Sequence, residues 1–304
     1  MKKFIVFSQS YDERSGGPVV LHKLCSILND QGCEAYLYPF FKSFELSKES
    51  YWPAFFGLMK SVIKKIFFKY RTNSVLNTPL YKGRKQNFGD EWIVIYPEIV
   101  FGNPLGAKNV VRWFLHQPGF HTGKVYYGKN ELYYKFNSAI LDFTYQGSKT
   151  SEVELKVIHY PLEHYNKNGV AQNRKGSAYC LRKGKNKVIQ HDLEDSILID
   201  GMSHEDVANI FKRVKVFISY DTYTAYSIFA TLCGCDSVVI PDDGVEKNDW
   251  YSNPTDRYGI SYGLNDIENA RETKDMVLKH VRQEEKKSEE SVKYFINEVD
   301  RYFK

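Results

Sequence analysis

Cysteine is scarce in this sequence: 304 residues hold five, at Cys25, Cys33, Cys180, Cys233 and Cys235. An odd, scattered set suits a reducing compartment better than a disulfide framework, so a cytoplasmic location is expected. Cys233 and Cys235 flank Gly234, but no second Cys/His pair repeats that spacing, so both read as small core residues rather than metal ligands. No apolar run is long enough to span a bilayer. The amino terminus offers two lysines and then a short apolar strand, too short for a signal peptide. Internal repeats and low-complexity segments are lacking. Charge of one sign is not in great excess either: the formal net charge is +5 at pH 7. That fits a protein that meets phosphates or anionic lipid without requiring it. Its positive residues are not gathered into one motif, which disfavours nucleic acid as a partner.

What is present is length for two cores and many rings. A chain of 304 residues suits two domains. Its 23 Tyr and 20 Phe can fill those cores or stack on sugars. The most informative stretch is 219–241. The apolar run 214–218 before it reads as a buried strand. Thr222, Thr224, Ala225 and Ser227 offer small and hydroxyl-bearing residues where a helix would start. The span 225–233 forms that helix, and Gly234 ends it in the left-handed conformation. A second strand over 237–240 stops at Pro241-Asp242-Asp243-Gly244, a turn signal. Strand, helix and strand with short joints predict a parallel crossover unit. Its first joint carries Asp221 and backbone N–H groups at a carboxyl sheet edge, where such sheets bind ligands and where a helix start favours phosphate.

This segment resembles the donor site of GT-B glycosyltransferases: a strand, an acid before a helix, then Cys233-Gly234-Cys235 and a strand ending in proline. The resemblance covers 200–244 and is weaker elsewhere. In that family one Glu opens the segment and another follows eight positions on. Those places are held here by Asp221 and Phe229, so the ribose contact that the second Glu usually makes is missing. The resemblance implies two Rossmann-like, doubly wound parallel-sheet α/β domains facing a cleft. An ordinary crossover in another doubly wound protein accounts for the same pattern without a donor site.

In the first half, strands are expected over 3–8, 34–38, 92–96, 109–115, 141–145 and 156–160. Gly16 and Gly17 form a loop after the first strand, where backbone can approach a ligand closely. Pro18 suits the first turn of the helix that follows. The GT-B amino-terminal domain has a similar Gly-Gly loop facing the reaction centre. Its strands also end on His and then Pro-Gly near the acceptor, which matches His116-Gln117-Pro118-Gly119. His116 at a sheet edge suits a sugar contact or a general base, and equally a histidine holding its own loop. The span 51–71 puts Phe55, Phe56, Met59, Val62, Ile63, Ile66 and Phe67 on one helical face and Lys60, Lys64, Lys65 and Lys69 opposite. Such a helix lies in an anionic membrane interface, or packs its apolar face on the sheet; both readings stay open.

The second half opens with a strand over 176–181 and then Arg182-Lys183-Gly184. In GT-B enzymes an Arg or Lys in this loop meets the donor diphosphate, whose charge grows as it leaves. A solvated basic turn explains the same residues. Ser203 and Asp206 read as a capping box. The expected domains are 1–162 on the acceptor side, a linker over 163–176, a donor domain over 177–285, and a terminal helix over 286–304 on the first domain.

The resemblance implies a glycosyltransferase acting from a nucleotide-sugar donor on a glycan or lipid-linked acceptor, as in bacterial surface polysaccharide synthesis. His116 and Asp221 are the catalytic candidates. Arg182, Lys183, Thr222, Tyr223, Thr224 and Ala225 would bind the donor. Gly16, Gly17 and Gln117 would line the acceptor side. No cofactor or metal is expected, because no Asp-x-Asp motif sits at a strand end. A non-catalytic nucleotide- or glycan-binding protein is the alternative, favoured by Phe229. A sugar epimerase of the same shape is a third, and would show more acids around the cleft.

Overall fold

The computed structural model describes residues 2–40, 70–83 and 88–304. It divides into two compact units, Met1–His159 with Glu285–Lys304, and Tyr160–Glu284. The span 51–71 lies outside the described residues except for Tyr70 and Arg71.

The first unit is built on a parallel sheet. Its strands are β1 (Lys3–Ser8), β2 (Glu34–Pro39), β3 (Trp92–Pro97), β4 (Asn109–Phe114), β5 (Leu132–Lys135) and β6 (Lys149–Thr150), in the order β2-β1-β3-β4-β5-β6. Strands buried on both faces read as near-continuous apolar runs, as β1 and β3 do here; β4 is buried throughout too but carries Arg112. One face packs Phe4, Val6, Ile93, Val111 and Trp113 against α1 (Gly16–Asp30) and against Val292, Phe295 and Val299 of the last helix. The other face gathers Ile5, Phe7, Trp92, Val94 and Tyr96. Arg112 is fully buried and forks onto Glu131 at 2.6 and 2.8 Å. Its guanidinium also donates to the carbonyls of Val100 and Gly102, so each nitrogen of this buried charge has a partner.

Two expected strands are not strands. In 141–145 Leu141 is exposed, while Phe143 and Tyr145 turn back onto Tyr133 and Tyr127. The place beside β4 belongs instead to β5. In 156–160 the N–H groups of Lys156 and Ile158 donate to the hydroxyls of Ser291 and Ser288 on the last helix, so no neighbouring strand receives them. Leu155 and Val157 are buried all the same.

The second unit carries β7 (Ser177–Cys180), β8 (Ser196–Leu198), α2 (His204–Phe211), β9 (Val216–Ser219), α3 (Tyr226–Leu232), β10 (Asp236–Val239), α4 (Lys247–Trp250), β11 (Ile260–Tyr262) and α5 (Ile267–Thr273). Its sheet is parallel, in the order β11-β10-β9-β7-β8. Ser203 accepts from the Asp206 N–H at 3.1 Å, which caps α2. Gly234, at φ +87°, ends α3. The chain is therefore an α/β protein with two Rossmann-like parallel-sheet units.

The expected linker over 163–176 is part of the second unit. Tyr165 is in its core, the Ala171 N–H donates to Lys212 O, and the Lys175 N–H donates to Arg213 O. Polar composition marked a segment that caps loops with its backbone, not one that separates domains. The units part instead at 159/160 and at 284/285, the latter inside the last helix, α6 (Val277–Tyr302). Val277 and Val281 at its start belong to the second core.

Candidate functional site

In the second sheet the strand order reverses between β7 and β9, whose ends are paired at Cys180 and Ser219. Chains leaving two such strands at the carboxyl edge diverge, and the crevice between them is where open α/β sheets take ligands. The loop after β7 is folded back on itself. Leu181 and Arg182 both donate their N–H to Asp200 Oδ2, at 3.2 and 2.9 Å. Gly184 is buried against the Tyr220 carbonyl, where any Cβ would overlap the oxygen. Between them Arg182 takes φ +41°, a conformation costly for a side-chain-bearing residue.

That strained backbone sends the Arg182 guanidinium across to the loop after β9. Its Nε lies 3.9 Å from Asp221 Oδ2, and its Cζ lies 5.1 Å from the centroid of Tyr226. Asp221 is buried, and its Oδ1 accepts from the Tyr223 N–H at 3.3 Å. The Arg182 side chain remains 41% exposed, so it can exchange this loose ion pair for a stronger anion.

Thr222 is held from three sides. Its hydroxyl accepts from Lys187 Nζ at 2.8 Å and donates to Asp242 Oδ2 at 2.8 Å. Its carbonyl accepts from Trp250 Nε1 at 2.8 Å. Lys187 also donates to Ile240 O at 2.7 Å and pairs with Asp242 Oδ1 at 2.7 Å. This lysine bond holds the Asp242 carboxyl below the usual range. The Thr222 side chain thus fastens the loop after β9 to the loops after β7 and β10. Tyr223 is exposed, Thr224 Oγ1 accepts from the Tyr226 N–H at 3.4 Å, and Ala225 caps α3 without a side-chain bond. Lys183 stands exposed beside Arg182.

The first unit gathers His116, Gln117 and Gly17 at the carboxyl edge of its own sheet. Gly16 and Gly17 are not a loop: they are the first two residues of α1, and neither has positive φ. A Cβ at Gly17 would make only an ordinary 3.8 Å contact with Leu115, so glycine's conformational freedom is not what the position uses. His116 follows the end of β4. Its ring stacks on Phe120 at 4.0 Å, and its Nδ1 accepts from the Gln117 N–H at 2.8 Å. The Gln117 side-chain oxygen accepts from the Leu141 N–H at 2.8 Å, so it fastens that loop.

Glu98, at the end of β3, underlies this edge. It is buried, its Oε2 accepts from the Leu115 N–H at 3.0 Å, and burial pushes its carboxyl up to about 7. Sequence reasoning missed Glu98, Lys187 and Asp242. Nothing in the sequence singled out Glu98 or Lys187, and Asp242 read as part of a turn signal. No local pattern distinguishes them; strand order alone puts Lys187 and Asp242 on Thr222. Phe229, where the resemblance calls for a carboxylate, is buried on Tyr165. Among the described residues, no group of three or more His, Cys, Asp or Glu side chains is placed to hold a metal ion. Among them, too, no helix is long and apolar enough to cross a membrane.

No protein-family model and no curated protein sequence matches this chain. Among solved structures, a sucrose-phosphate synthase from Thermosynechococcus elongatus is similar over 97% of this chain and 94% of its own, at 10% identity and a TM-score of 0.42. MurG from Acinetobacter baumannii is similar over 98% of this chain and 99% of its own, at 10% identity and a TM-score of 0.35. Likeness at that level says nothing of what this chain binds or does.

Proposed function

We propose that the chain is a glycosyltransferase that moves a sugar from a nucleotide-sugar donor to a glycan or lipid-linked acceptor. The observation that carries this reading is the switch-point pair: Arg182, in a strained left-handed conformation, held 3.9 Å from the buried Asp221. A half-exposed guanidinium there suits the diphosphate of the donor, with Lys183 adding a second charge. Asp221 would contact the donor sugar or ribose, and the backbone of Thr222, Tyr223, Thr224 and Ala225 would line the same crevice. In the transfer, the acceptor oxygen bonds to the anomeric carbon and the carbon's bond to the diphosphate oxygen breaks. Arg182 stabilises the charge that gathers on the leaving diphosphate, and the hydroxyl proton passes to solvent.

A non-catalytic nucleotide-binding protein is the second reading, and the buried Phe229 favours it. Titration calorimetry with UDP, GDP and ADP, followed by assay of nucleoside diphosphate release from the matching nucleotide sugars, separates the two. Binding with release supports the enzyme. Binding without release under any acceptor supports the second reading. No binding of any diphosphate refutes both. Peripheral membrane attachment through 51–71 rests on sequence alone. Sedimentation with anionic liposomes, abolished by changing Lys60, Lys64, Lys65 and Lys69 to Glu, is its test.

A further inference from the structure

We propose that Tyr223 is the stacking platform for the base of a nucleoside diphosphate whose phosphates meet Arg182. The inference rests on the diphosphate reading given above and adds the part of the ligand that reading leaves unassigned.

An aromatic ladder is built along the carboxyl edge of the second sheet. At its inner end Tyr262 of β11 stacks on Trp250, centroids 4.8 Å apart and planes 21° from parallel. Trp250 contacts Tyr251 at 4.7 Å, and Tyr251 meets Tyr223 edge to face at 5.7 Å. The inner rungs are fixed. Trp250 is buried with its Nε1 on the Thr222 carbonyl, and the Tyr262 hydroxyl donates to Val245 O at 2.6 Å. Tyr251 is partly buried between Trp250 and Tyr223.

The outer rung differs. Tyr223 is 55% exposed, although Asp221 and Thr222 before it and Tyr226 after it are buried. Its backbone is nevertheless anchored, because its N–H donates to Asp221 Oδ1 while Asp221 Oδ2 faces Arg182. A large ring is thus held outward from a fixed loop, one carboxylate away from the guanidinium. A ring so placed costs little further ordering when a flat group covers it. Every nucleobase has such a face, so stacking supplies affinity with little choice between bases.

The test is calorimetric titration of the full chain and of Tyr223→Ala, Tyr223→Phe and Arg182→Ala, with inorganic pyrophosphate and with UDP, GDP and ADP. Tyr223→Ala should bind pyrophosphate as the wild type does and bind the preferred nucleoside diphosphate about tenfold or more weakly. Tyr223→Phe should keep the wild-type affinity for both. Arg182→Ala should weaken both probes. Equal nucleoside diphosphate affinity in Tyr223→Ala and wild type overturns the platform while leaving the diphosphate reading in place. Loss of pyrophosphate binding in Tyr223→Ala overturns it as well, since the residue would then be shaping the loop. A wild type that binds neither probe removes the diphosphate reading itself.

Discussion

Phe229 lies flat on Tyr165, ring centroids 4.2 Å apart and planes 12° from parallel. The His204 ring closes the cluster at 5.7 Å from Phe229, and its Nδ1 is 2.5 Å from the Tyr165 hydroxyl. A position that the GT-B resemblance reserves for a ligand-binding carboxylate is therefore core. Phe229→Ala should cost about 3–5 kcal/mol of stability by leaving a cavity. Phe229→Glu should be at least as harmful, because it removes the same ring and buries a carboxylate in its place. Urea denaturation measures both. A Phe229→Glu protein that kept wild-type stability and bound nucleotide more tightly would show instead that the position opens onto a ligand.

Arg182 combines strain with charge, so two substitutions should separate them. Arg182→Ala should weaken nucleoside diphosphate binding about tenfold to a hundredfold, the worth of one charge-assisted bond. Arg182→Lys should restore little of it, because a point charge does not reproduce the fork. Arg182→Gly should lose binding equally and yet be no less stable than the wild type, since glycine accepts φ +41° without strain. Lys183→Ala should show a smaller loss and the distant Lys286→Ala none. Affinities unchanged across the series would place the phosphate site elsewhere.

Gly184 tests whether the β7 loop must keep its present path. An alanine Cβ would overlap the Tyr220 carbonyl oxygen, which belongs to the backbone that leaves β9. Relief requires the two loops to move apart, and the Arg182–Asp221 pair spans them. Gly184→Ala should therefore destabilise by about 1–3 kcal/mol and lose nucleotide affinity together. Thermal unfolding and calorimetry on one preparation check it. Retained affinity would mean that the loop position is unimportant to the ligand.

Glu98 makes a prediction about pH. Burial holds its carboxyl protonated in the folded protein up to about pH 7, while the unfolded chain ionises it near 4.5. The N–H groups of Leu115 and His116, its own N–H, and the Arg112 charge oppose this shift without cancelling it. Between those values the folded state binds the extra proton, so stability falls as pH rises through the window. The fall attributable to Glu98 is roughly 3 kcal/mol from below pH 4.5 to above pH 7. Glu98→Gln keeps an acceptor for Leu115 and removes the titration. Its stability relative to the wild type should rise from pH 5 to pH 8 in urea melts. A pH-independent difference would show that Glu98 titrates normally.

Local signals in the sequence determined much of this protein. Apolar runs placed β1, β3 and, apart from its buried Arg112, β4, because a strand covered on both faces is largely apolar. Ser203 with Asp206, and Gly234 after α3, marked helix ends through chemistry that acts within four residues. The segment carrying Arg182 and the one carrying Asp221 were likewise visible as loops after strands. The tertiary structure decided what needed a distant partner. The stretch 156–160 looks like a strand, yet the Lys156 and Ile158 N–H groups go to Ser291 and Ser288, more than a hundred residues away. The order β11-β10-β9-β7-β8 is what brings Arg182 to Asp221 and Lys187 to Thr222. Composition and periodicity describe a residue's own stretch of chain, whereas strand neighbours and the burial of Glu98 or Phe229 depend on which remote segments cover them.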